Sequence, residues 1–121
     1  MDQVEFNHIF ERLKNLFETA KGDAVALEDS PKSYMLNTPY SKKYGKEVYL
    51  GGVRIQKNYV SFYLMPVYIY PDLLVGVSPQ LLKHMQGKSC FNFKAVDESL
   101  FSELSALAQD GIEQFRKDGL L

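Results

Sequence analysis

A chain of 121 residues, 45% apolar and 24% charged with a net charge of −1, has the length and balance of a single globular domain spanning 1–121. Near-neutrality excludes attachment to nucleic acid or membrane by bulk charge, and no apolar run reaches the roughly 20 residues of a membrane-spanning helix. The opening residues MDQVEFNHIF lack the basic start of a signal peptide, and the single Cys90 excludes an internal disulfide framework. A cytoplasmic location is the expectation.

Charge is unevenly spread. Residues 1–29 carry a balance of −4, residues 30–71 one of +5 and residues 72–121 one of −2. All eight tyrosines fall between Tyr34 and Tyr70. The middle of the chain is therefore both its cationic and its aromatic part.

In chain order, Phe6, Ile9, Phe10, Leu13, Leu16, Phe17 and Ala20 follow the spacing of a helix over 2–21 that buries one stripe. Asp2 with Glu5 suits a capping box, Gly22 suits the C′ position, and Glu11–Lys14 and Glu18–Lys21 suit surface pairs. Short strands are expected at 24–29 and 33–37, then a loop, TPYSKKYGK, over 38–46. The stretch EVYLGGVRIQKNYVSFYLMPVYIYP, 47–71, reads as a hairpin running into a third extended segment.

With Lys57-Asn58 as a two-residue turn, Ile55 faces Val60, Val53 faces Phe62, Arg54 faces Ser61, Gln56 faces Tyr59 and Gly52 faces Tyr63. One face is then dry and the other polar and tyrosine-rich. Asn58 suits a positive φ in that turn. Pro66 and Pro71 bracket Val67–Tyr70, which reads as an edge strand or extended connection. Ser78-Pro79 starts a helix that runs through Gln86 to Gly87. KSCFNFK, 88–94, reads as a last strand, with Phe91 and Phe93 on one side and Cys90 and Asn92 on the other. Asp97 caps a final helix whose stripe runs from Leu100 to Phe115 and which Gly119 ends. This order predicts an α+β two-layer sandwich: a mostly antiparallel sheet of five to six strands with N- and C-terminal helices packed on one face.

Three segments, KNYVSFYLMPVY, SPQLLKHMQGKSCFNF and the terminal GIEQFRK, resemble the small bacterial YdhG-like family. The resemblance covers 46–121, about two-thirds of the chain, and its best marker is the Gly87-Lys88 step into an aromatic strand. It implies a frataxin-like α+β fold. Some relatives are described as iron-handling, but no metal motif of the family maps residue by residue onto this sequence, and function does not follow from fold alone.

The residues offer little for catalysis. His8 and His84 are far apart, and neither stands at metal-ligand spacing from Cys90. Glu18, Asp23, Glu28 and Asp29 supply hard oxygens where the first helix meets the first strand; they read either as an iron-holding edge or as a solvated acidic one. Cys90 has His84 and Lys88 nearby in sequence, yet a lone cysteine in an aromatic strand usually serves as a small buried hydrophobe. No nucleophile elbow, phosphate loop or dinucleotide fingerprint is present, so neither an enzyme nor a cofactor is expected. Nucleic-acid binding is not expected either, because tyrosines on a half-exposed sheet are ordinary strand formers. The expectation is a non-catalytic domain that binds a small ligand or protein partner through its polar sheet face. That face comprises Gly52, Arg54, Gln56, Tyr59, Ser61 and Tyr63, with Tyr40, Lys42, Lys43 and Tyr44 as a rim. The same face would equally serve a homodimer.

Overall fold

A computed structural model describes residues 3–121. Helix α1 (Gln3–Ala20) leads into strands β1 (Val25–Asp29), β2 (Ser33–Asn37), β3 (Tyr49–Ile55) and β4 (Val60–Leu64). Short helix α2 (Met65–Ile69), a 3-10 turn (Pro71–Leu74) and short helix α3 (Pro79–Leu82) follow, then β5 (Cys90–Phe93) and helix α4 (Glu98–Lys117). The five strands make one antiparallel sheet in chain order, β1 to β5. The long terminal helices lie on one side of it, as the α+β pattern predicts. The expected cap at Asp2 lies outside the described residues.

The hairpin register is the expected one. Ile55 pairs Val60, Arg54 pairs Ser61, Val53 pairs Phe62 and Gly52 pairs Tyr63, while the Gln56 N–H donates to the Tyr59 carbonyl at 2.8 Å. Val53, Val60, Phe62 and Leu64 are fully buried and Ile55 partly so. Among the described residues only glycines have positive φ, so Asn58 turns the chain without it. The register is set by the buried face, because a slip of one residue would turn every apolar side chain to water.

Strand β5 extends the same alternation. Phe91 pairs Phe62 and Phe93 pairs Val60 on the buried side, while Cys90 and Asn92 fall opposite Tyr63 and Ser61. Phe17 of α1 stacks on Phe62 with centroids 4.6 Å apart, and Phe101 of α4 meets the Phe93 ring edge-on at 5.1 Å. Close approach demands glycine at Gly52 and Gly111 among other positions. A Cβ on Gly52 would lie 2.2 Å from the Tyr34 carbonyl oxygen, and one on Gly111 2.8 Å from Pro66 Cβ, where α4 crosses α2.

Four local expectations are corrected. Residues 67–70 are not a strand: Pro66 sits in the first turn of α2 and Pro71 opens the 3-10 turn, positions where a missing N–H breaks no helical bond. The helix after Ser78 is only Pro79–Leu82, although its cap is as expected, with Ser78 Oγ accepting from Leu81 N. Residues 84–86 turn instead to cover the outer edge of β5, where Asn92 N–H donates to the His84 carbonyl and Gln86 N–H to the Cys90 carbonyl, each at 2.9 Å. Lys14 pairs with Asp29 at 2.9 Å rather than with Glu11, and Lys21 Nζ reaches the Ala24 carbonyl at 3.4 Å rather than Glu18. At the start of α4, Asp97 accepts from Leu100 N as anticipated.

The end of α4 is fastened to the 38–46 loop. Asp118 accepts from Lys43 Nζ at 2.6 Å, from Tyr70 OH at 2.8 Å and from Tyr44 OH. The Lys43 hydrogen bond, then those of Tyr44 and Tyr70, hold the Asp118 carboxyl down from the ordinary 3.8 to about 2. Such a group stabilises the fold above its unfolded value and loses that contribution as pH falls through the folded one.

Two measurements test this packing. Phe62→Ala removes the ring on which α1 rests and is expected to lower unfolding stability by about 3–5 kcal/mol in urea titration; a loss under about 1 kcal/mol would show the ring is not central. Asp118→Asn is expected to lower Tm at neutral pH, with the gap to the unchanged protein closing between pH 3.8 and about 2. A gap that stays constant over that range contradicts the clamp.

Candidate functional site

With α1 on the Val53–Phe62 side, the sheet's other face is built by alternation. Ser33 pairs Arg54, Arg54 pairs Ser61 and Ser61 pairs Asn92, one row running across four strands, and Met35, Gly52, Tyr63 and Cys90 make the next. These side chains hold one another in place. Arg54 Nε donates to Ser33 Oγ at 3.5 Å and its Nη2 to Glu28 Oε1 at 3.3 Å. Gln56 Nε2 donates to Tyr63 OH at 3.1 Å, linking residues of β4 and the hairpin end. Ser61 Oγ donates to Asn92 Oδ1 at 2.7 Å, and Asn92 Nδ2 donates onward to Gln86 Oε1 at 2.8 Å.

Exposure along the row is graded. Arg54 stands in solvent; Gln56, Tyr59 and Tyr63 are half-buried; Gly52 and Ser61 lie beneath their neighbours. Of the expected face, Arg54, Gln56, Tyr59 and Tyr63 therefore remain for contact, and Ser61 acts by fixing Asn92. Tyr49 and Met35 join the same side, with Tyr49 OH donating to Met35 Sδ at 3.2 Å. Burial raises the Tyr49 phenol well above its ordinary range, so it stays protonated.

The expected rim is not assembled. Lys43 and Tyr44 are drawn to Asp118 at the end of α4, on the helical side of the molecule. Tyr40 and Lys42 are exposed in the same loop, and among the described residues the hydrogen bonds of Arg54 and Tyr63 go to Ser33, Glu28 and Gln56 instead. Ser41 bridges Lys46, which closes the loop on itself.

The acidic quartet does not converge either. Glu28 pairs with Arg54 on the open face, whereas Asp29 pairs with Lys14 of α1. A bulge between Ala26 and Glu28 separates the strand's two halves. Glu18 and Asp23 are exposed, and no group of three or more metal-ligating side chains gathers among the described residues.

Cys90 is half-buried beside Ser61 and Asn92, with Sγ 3.3 Å from Asn92 Oδ1. Burial raises its thiol pKa, and the hydrogen bond with Ser61 pulls it partly back. Asn92 and Gln86 are members of this array that sequence reasoning did not select. The alternation placing Asn92 opposite Phe91 and Phe93 was the available signal; Gln86 had none, because its place depends on how 84–86 folds over β5.

Models of protein families match no part of the chain, and no curated protein or solved structure matches it. No helix among the described residues is long and apolar enough to cross a membrane.

With its thiol pKa raised, Cys90 is expected to react slowly with an aromatic disulfide reagent at pH 7 in the folded protein. Its rate should climb only at pH values above those of a free cysteine. Rapid labelling at neutral pH contradicts the burial.

Proposed function

We propose that the chain is a non-catalytic binding domain whose open sheet face receives the carboxylate or aromatic group of a small ligand or protein partner. One observation carries the reading: Arg54, Gln56, Tyr59 and Tyr63 stand together on the sheet side away from α1, with Arg54 tied to Ser33 and Glu28, and Gln56 to Tyr63. A fixed array loses little side-chain freedom when it binds. Tyrosine brings broad contact area with a polar tip, and the arginine fork matches a carboxylate. A cytoplasmic location and YdhG-like membership for 46–121 belong to the same proposal. Support for the latter is the order Gly87, aromatic strand β5, final helix α4.

Iron handling by the acidic edge is the weaker reading, since Glu28 and Asp29 are each satisfied by a cation on a different element. Calorimetric titration with ferrous iron separates the two: the proposal expects no micromolar site.

The direct test maps amide shifts in labelled protein during titration with benzoate and with phenylalanine-rich acidic peptides, and as the protein itself is concentrated. Shifts are expected to cluster at Arg54, Gln56, Tyr59 and Tyr63, and the double variant Arg54→Ala/Tyr63→Ala is expected to weaken binding by about tenfold or more with Tm little changed. Shifts confined to the helical layer, or none at all, defeat the proposal.

A further inference from the structure

Beyond the open face, where 84–86 folds over β5, lies a cleft of about 650 Å³. Its polar wall is Tyr59, Lys83, His84, Gln86, Asn92 and Lys94. That volume is in the ordinary range for small-molecule sites.

The wall carries two lysines against one carboxylate. Lys83 and Lys94 make no salt bridge among the described residues, unlike Lys14 and Lys43, each held by an acid. The carboxylate on the cleft wall, Asp97, already accepts from Leu100 N at the start of α4. Gln86 Oε1 is taken by Asn92 Nδ2 at 2.8 Å, which leaves the Gln86 amide nitrogen as a free donor. Tyr59 OH makes no hydrogen bond among the described residues and is also free to donate.

His84 is set more firmly. Its Nδ1 lies 2.8 Å from the Asn92 carbonyl oxygen, so Nδ1 carries the proton and Nε2 is the ring's free polar atom. The ring stacks on Phe93 at 4.7 Å and 20°, which fixes its plane. Met85 and Val96 add an apolar surface to the cleft.

We infer that this cleft binds a small organic phosphate carrying a flat ring. The phosphate would lie by Lys83 and Lys94 with the Gln86 amide nitrogen donating to it and the ring against Tyr59, Met85 and Val96. His84 Nε2, an acceptor, would turn to a hydroxyl of the ligand or to water rather than to the phosphate. A phosphate ester bears close to two negative charges near neutral pH and gains from both ammonium groups, neither of which is salt-bridged among the described residues, while Asp97 on the same wall is turned to the Leu100 N–H. A carboxylate bears one charge and gains less. Neutral phenols lack the charge, and inorganic phosphate lacks the ring that the apolar wall receives. The cleft shares Tyr59 with the open face but uses neither Arg54 nor Tyr63, so the two sites are separated by variants of those residues.

Calorimetry and amide-shift mapping with phenyl phosphate, inorganic phosphate, benzoate and phenol test it. Phenyl phosphate is expected to bind saturably, with shifts at His84, Gln86, Asn92 and Lys94, and more tightly than the other three. Lys83→Ala/Lys94→Ala, both at exposed positions, is expected to weaken it by about tenfold or more with Tm unchanged. Tyr59→Ala is expected to weaken phenyl phosphate but not inorganic phosphate. Arg54→Ala/Tyr63→Ala should leave phenyl phosphate binding intact, which keeps failure of the open-face reading distinct from failure here. Absence of saturable binding, equal affinity for benzoate in the Arg54→Ala/Tyr63→Ala protein, where the open face is removed, or indifference to loss of both lysines overturns the inference.

Discussion

The contact between Phe17 and Phe62, stacked 4.6 Å apart, joins the first helix to the centre of the sheet. It requires Phe62 to face inward, and strand geometry allows only alternate residues to do so. From that parity, Ser61 and Tyr63 must face outward, and cross-strand pairing passes the same division to Val53 and Arg54 on one neighbour and to Phe91 and Asn92 on the other. The residues that reach the core and those that reach the candidate site are two outcomes of one choice. Gly52 belongs to the same constraint, because a side chain there would collide with the Tyr34 carbonyl of the adjoining strand.

The sheet's edges are less available than its open face. On β1, a bulge between Ala26 and Glu28 interrupts the ladder, and Glu28 and Asp29 place charge beside it, which discourages another strand from pairing there. On β5, the outer edge is covered by residues 84–86, whose backbone takes up the Asn92 N–H and the Cys90 carbonyl. Surfaces free for recognition are therefore side-chain surfaces: the tyrosine-bearing face and the cleft beside the covering segment.

Asn92 stands between those two surfaces. Its side chain accepts from Ser61 and donates to Gln86, while its backbone carbonyl holds His84 Nδ1 and its N–H binds the His84 carbonyl. The buried Ser61 thus fixes Asn92, and Asn92 fixes both the histidine's tautomer and the position of Gln86. Rigidity of this kind lowers the ordering entropy that binding must overcome.

Local pattern alone determined the two long helices, their stops, the caps at Ser78 and Asp97, and the hairpin register from Ile55–Val60 to Gly52–Tyr63. Each depends on residues a few positions apart, where period and capping chemistry act directly. The polar face was legible for the same reason, as the residues that alternate with the core positions on β3 and β4. Only the tertiary structure decided that Lys43 and Tyr44 go to Asp118, that the proline-bracketed segment coils against α4, and that 84–86 closes over β5. Lys43 meets an acid 75 positions away, and His84 is set by a carbonyl on a strand that its own segment must first cover. Such contacts carry no periodic trace in sequence, because they are chosen by which surfaces meet once the hairpin and helices have already packed.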